Sequence, residues 1–131
     1  MRITRSIALV AGLTAALTFA AAPAAFAGDD DVTRRGSCSA ASDWELKVGT
    51  DDGQLDGEFE VDQNVSGQTW RVRIVRNGIE IFRGRRTTGG SSGSFEVDFR
   101  AANLAGDDIV RARAVDVSSG ETCLGRVVFP G

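Results

Sequence analysis

From residue 42 onward, apolar residues recur at every second position, in one short run after another. Trp44, Leu46 and Val48 alternate with Glu45 and Lys47, and Phe59 and Val61 with Glu58, Glu60 and Asp62. Trp70, Val72 and Ile74 alternate with Arg71 and Arg73, Phe95, Val97 and Phe99 with Glu96, Asp98 and Arg100, and Val110, Ala112 and Ala114 with Arg111 and Arg113. Successive side chains of a strand point to opposite faces, so each run predicts a strand with one face in a core and the other in water. Residues 79–86 and 121–129 are two less regular strands. Together they give seven predicted strands, at 42–48, 57–64, 69–76, 79–86, 93–100, 108–116 and 121–129. No stretch carries a helical repeat; only 101–105 is expected to form a single turn, at a sheet corner.

The segments between the strands have turn chemistry. They are Asp51-Asp52-Gly53, Asn77-Gly78, Gly89-Gly90-Ser91-Ser92-Gly93 and Ser118-Ser119-Gly120. Asn77-Gly78 between two apolar runs is the strongest hairpin signal, because both residues accept positive φ.

The N-terminus is of another kind. Arg2 and Arg5 precede an apolar stretch from Ile7 to Ala22, and Ala25-Phe26-Ala27 places small residues where a signal peptidase reads them. Residues 1–27 are therefore expected to be a secretory leader cleaved after Ala27, not an anchor, since the apolar run is short of the roughly 20 residues of a spanning helix. No second apolar segment follows, so no membrane span is expected in the mature chain, and the protein should be secreted or surface-associated. Residues 28–36 are polar and aperiodic and read as a disordered lead-in; residues 37–131 read as one domain.

Of 15 Lys and Arg, Arg2 and Arg5 fall in the leader, leaving 13 basic against 18 acidic residues, a net charge of −5. That balance argues against a nucleic-acid partner. Cys38 and Cys123 lie near the two ends of the domain, and in an exported chain they are expected to form a disulfide. A reactive thiol pair is the lesser reading, because there is no CxxC spacing and no His.

Seven short antiparallel strands predict an all-β, immunoglobulin-like sandwich closed by one terminal disulfide. The stretch Trp70-Arg71-Val72-Arg73-Ile74 with Asn77-Gly78 resembles the third strand and hairpin of immunoglobulin and fibronectin type III domains. Leu104 and Asp107 to Ala112 resemble their corner and sixth strand. The whole mature chain is similar to small exported sandwich proteins of high-GC Gram-positive bacteria, mostly of unknown function. It departs from the antibody pattern in having no Tyr for a tyrosine corner, and its disulfide would not join strands two and six. The resemblance implies a fold; function has to be argued from a site.

Much chemistry is excluded. With no His, Ser-His-Asp and Cys-His systems and the usual zinc sites are absent, and no cofactor is expected. A carboxylate pair drawn from Asp51, Asp52, Asp56, Asp107 and Asp108 could serve a hydrolase, but Asp beside Gly ordinarily just makes turns. Asp51, Asp52, Asp107 and Asp108 are weak calcium candidates, since loop carboxylates are hard ligands. Asn64-Val65-Ser66 matches a glycosylation acceptor and is read as chance.

An immunoglobulin-like arrangement puts predicted strands one, two and five in one sheet and three, four, six and seven in the other. The wet face of the first sheet then carries Glu45, Glu58, Glu60, Asp62, Glu96 and Asp98, with Lys47 and Arg100. That of the second carries Arg71, Arg73, Arg111 and Arg113, with some of Arg83, Arg85, Arg86 and Arg126. The expectation is a non-catalytic module that recognises anionic cell-envelope polymers or an acidic protein surface through Arg71, Arg73, Arg83, Arg85, Arg111 and Arg113. The bland alternative is that the Arg stems merely cover apolar surface while their heads take water. A secreted protease or glycosidase inhibitor is the runner-up. It is disfavoured because the glycine-rich 87–94 loop reads as too flexible, and ordering it would cost affinity.

Overall fold

The structure is a computed structural model that describes residues 31–131; the expected leader and residues 28–30 lie outside the described residues. Eight strands follow in order: β1 (Val32–Ser37), β2 (Asp43–Asp51), β3 (Gln54–Asp62), β4 (Thr69–Arg76), β5 (Ile79–Thr87), β6 (Ser94–Ala102), β7 (Asp108–Asp116) and β8 (Thr122–Phe129). They form two four-stranded antiparallel sheets, β1-β2-β3-β6 and β5-β4-β7-β8. The seven expected strands are β2 to β8, and they divide between the sheets as an immunoglobulin-like sandwich requires. Ala101 and Ala102 continue β6 instead of opening a turn, and there is no helix among the described residues.

The extra strand corrects the lead-in. Residues 32–36, expected to be disordered, pair with β2 in register from Val32↔Val48 to Ser37↔Asp43. Backbone hydrogen bonds hold this edge strand, so it needs little apolar pattern of its own, and only Val32 packs against the core. Gly36 shows why the sequence looks bare there: a Cβ at this position would sit 2.7 Å from the Trp44 indole. Trp44 lies between Gly36 of β1 and Gly125 of β8, where a Cβ would come within 3.1 Å. It is half-buried against the core and not fully enclosed.

The alternating residues of both sheets meet in one interior. Leu46, Val48, Leu55, Phe59, Val61, Phe95, Val97 and Phe99 face Trp70, Val72, Ile74, Val110, Ala112, Ala114, Val127 and Phe129, all buried. The turns follow their residues. Asp52-Gly53 and Asn77-Gly78 have φ of 51°, 73°, 49° and 80°, the all-positive pattern of a tight hairpin. Because Asp52-Gly53 closes so tightly, β2 and β3 extend past the alternating runs to Asp51↔Gln54. The glycine-rich 88–93 segment is pinned where a loose loop was expected. Gly89 bridges Ser94, Ser66 Oγ donates to the Gly90 carbonyl, and Thr88 Oγ1 donates to the Val65 carbonyl.

Cys38 and Cys123 form a disulfide with a Cα–Cα distance of 4.3 Å. It joins the β1–β2 connection to β8, one sheet to the other. Glu121 secures the same corner: its carboxylate accepts from the Ala40 and Ser42 amides and from Ser42 Oγ.

Polar residues close both ends of the interior rows of β4 and β7. At one end Arg76 and Asp108 are buried together, with Nε and Oδ1 3.9 Å apart, and Arg76 Nη1 donates to the Ala102 carbonyl. At the other, Trp70 Nε1 donates to Gln63 Oε1 at 3.1 Å, and Gln63 Nε2 donates to Asp116 at 3.0 Å. Asp116 also accepts from Ser118 N, Ser118 Oγ and Ser119 N. Burial raises its pKa, but the Ser118, Ser119 and Gln63 donors outweigh burial and the net shift is downward. A carboxyl with a lowered folded pKa adds stability above its unfolded pKa of about 3.9, and that stability is lost as pH falls through the folded value. The urea midpoint should therefore fall on acidification below about pH 4. Asp116→Asn should cost about 1–3 kcal/mol at neutral pH and flatten this acid limb. A variant as stable as the parent, with an unchanged acid limb, would assign the network no role.

Candidate functional site

Each sheet turns one row set inward and the other to solvent, so the outward residues of β5, β4, β7 and β8 share one face. Register places them side by side: Arg71↔Arg85, Arg73↔Arg83, Arg73↔Arg113 and Arg111↔Arg126 are directly paired. The face is a basin of about 970 Å³, walled by Arg71, Arg73, Arg83, Arg85, Arg111, Arg113 and Arg126. Its floor is Val75, Val115 and Leu124 with the backbone around Gly84 and Gly125; Leu124 is 63% exposed. The structure thus brings together all six arginines expected to act as one patch, with Arg126, also a candidate for this face, beside them. Arg86 is separate: it lies on the other side of β5, its guanidinium 5.0 Å from the centre of the Phe82 ring.

One acid intrudes. Glu80 accepts from Arg73 Nε at 2.7 Å and from Arg83 Nη2 at 2.8 Å. Hydrogen bonds from Arg83, then Arg73, hold its carboxyl down at about 2. Simple alternation along β5 assigns residue 80 to the inner side. A register shift between Ile74 and Val75 instead pairs Glu80 with outward-facing Val75, because a bulge flips the phase of every residue beyond it. Among the described residues no carboxylate lies within ion-pair distance of Arg71, Arg85, Arg111, Arg113 or Arg126. Like charges directly opposite in a sheet are destabilising by tenths of a kcal/mol per pair, so this face is held together against its own repulsion.

The opposite sheet is the counterpart. Glu45↔Glu60, Asp43↔Asp62, Glu60↔Glu96 and Glu58↔Asp98 are paired on its outer face. Arg35 takes Glu45 at 2.8 Å, and Lys47 takes Asp31 at 3.3 Å. A hydrogen bond with Asp98, then burial and the charges of Glu58, Asp98 and Glu60, raise the Glu96 pKa.

The four calcium candidates do not assemble. Asp51 is engaged by Arg100 at the β2–β3 hairpin. Asp52 sits exposed in the turn. Asp107 is exposed before β7, and Asp108 is fully buried against Arg76. Among the described residues the one group of three carboxylates within 4.8 Å of one another is Glu58, Glu96 and Asp98, all exposed on the acidic face.

Compared with known proteins, the sequence matches no family model and no curated relative. Among solved structures, chicken MD-1 complexed with lipid IVa is similar over 76% of this chain and 97% of that one, with 13% identity and a TM-score of 0.31. A likeness that distant bears on neither site nor ligand.

Proposed function

We propose that the chain is an exported, non-catalytic binding module whose arginine basin holds anionic polymers of the cell envelope. The carrying observation is the set of five arginines without a carboxylate partner among the described residues, gathered around an apolar floor. Guanidinium forks match phosphate and carboxylate oxygens two at a time. The lining offers donors and apolar atoms, which suits holding an anion better than transforming it. The Cys38–Cys123 bond fits an oxidising destination.

The protein should be retained on immobilised heparin and teichoic acid at low salt despite its net acidity. By the counterion-release rule, some five contacts weaken binding roughly a hundredfold between about 50 and 200 mM salt. Arg111→Glu with Arg113→Glu should weaken it at least tenfold at fixed salt. If the unaltered protein runs through both columns unretained at low salt, the basin is only a solvated surface.

A further inference from the structure

We propose that the acidic outer face of the β1-β2-β3-β6 sheet docks on the arginine basin of a second copy, so that the chain associates head to tail with itself. This shares with the reading above only the premise that the basin is a binding surface.

Both faces carry like-charge repulsion that their own sheets relieve only in part. The basin has four directly opposed Arg–Arg pairs, and Glu80 answers only Arg73 and Arg83. The acidic face has four opposed carboxylate pairs; Arg35 answers Glu45, and Lys47, opposite Glu58, is drawn toward Asp31. The two blocks also match in extent. Glu58–Asp98, Glu60–Glu96 and Asp43–Asp62 occupy three successive outward rows, as do Arg71–Arg85, Arg73–Arg113 and Arg111–Arg126. Three rows span about 14 Å along the strands, and three or four strands span about 10–15 Å across them. Stacking one block on the other brings three rows of arginines over three rows of carboxylates.

The two faces belong to opposite sheets, so the contact is heterologous. One copy uses its basin, the next its acids, and each added copy leaves one of each face free. Such an interface gives open chains, not closed dimers. A four-stranded face covers roughly 400–500 Å², so each contact buries on the order of 1,000 Å² in total, at the low end for specific association. The association is therefore weak, reversible and carried by charge, and a polyanion in the basin competes with it.

The experiment is light scattering with sedimentation velocity on the mature chain. The expected result is an average mass that climbs with concentration at about 0.02 M salt and returns to the monomer at about 0.5 M. Two folded variants separate the faces: Glu58→Gln with Asp98→Asn, and Arg111→Gln with Arg113→Gln. Each alone should stay monomeric. Mixed, they should give a one-to-one pair that grows no further, since only one intact basin and one intact acidic face remain. The acid-face variant should still be retained on heparin, which separates failure of self-association from failure of polyanion binding. A parent that stays monomeric at low salt overturns the proposal. So does an acid-face variant that associates like the parent, or a mixture that forms no pair.

Discussion

Trp70→Ala should leave the domain largely unfolded at room temperature. Trp70 is wholly buried, and its ring lies 6.0 Å from that of Phe95 across the interior. Truncating so large a side chain removes its transfer free energy and leaves a cavity, for about 3–5 kcal/mol. It also takes the Nε1 donor from Gln63, which in turn holds Asp116. A domain of this size has about 5–15 kcal/mol in all, and often the lower figure. Trp70→Phe keeps most of the volume and loses the donor, so it should cost distinctly less. Urea titrations followed by circular dichroism would show the order parent, Phe variant, Ala variant. An Ala variant within 1 kcal/mol of the parent (roughly the effect of an ordinary surface change) would mean the core does not depend on this ring.

The second large effect belongs to the disulfide. It closes a loop of 85 residues, which the chain-entropy model values at about 4.5 kcal/mol, with 2–4 kcal/mol the usual yield. Cys38→Ala with Cys123→Ala should therefore lower Tm by something like 10–25 °C. The loss should appear chiefly in the denatured chain, because Glu121 still ties the same corner through Ala40 and Ser42. Chemical reduction of the parent should reproduce the shift. A Tm that is indifferent to both treatments would show that the corner is held by these hydrogen bonds alone.

Much of the fold was legible because alternation determines two things at once: where strands lie and which side of each is wet. Once β4 and β7 were placed in one sheet, the outward phase of Arg71, Arg73, Arg111 and Arg113 followed. What escaped reading is carried by other forces. Strand β1 is made by backbone pairing, and its residues at 33–37 contribute almost no apolar signal. Glu80 reaches the basin only through the register shift beside Val75, which no count of residues along β5 foretells. Asp108, Asp116 and Arg76 occupy the inward phase at strand ends, where polar residues look like the start of a turn. Their roles depend on partners far along the chain: Gln63 for Asp116, Ala102 for Arg76 and Arg76 for Asp108. The six expected arginines were assigned to one face by position alone, but their lack of acidic partners, apart from Arg73 and Arg83, could be seen only in three dimensions.

For the proposed anion-binding role, Glu80 also sets the conditions of release. Arginine stays protonated throughout the range in which proteins are folded, and the one carboxyl among these guanidiniums is held down to about 2. With its one carboxyl held so low, the basin has no group of ordinary carboxylate or imidazole kind that would change charge near neutral pH. A move into a mildly acidic or alkaline surrounding would leave its grip on a fully ionised ligand unchanged. If the basin holds an anion as proposed, release has to come from rising ionic strength or from a competing anion, so that salt and not proton activity would govern the complex.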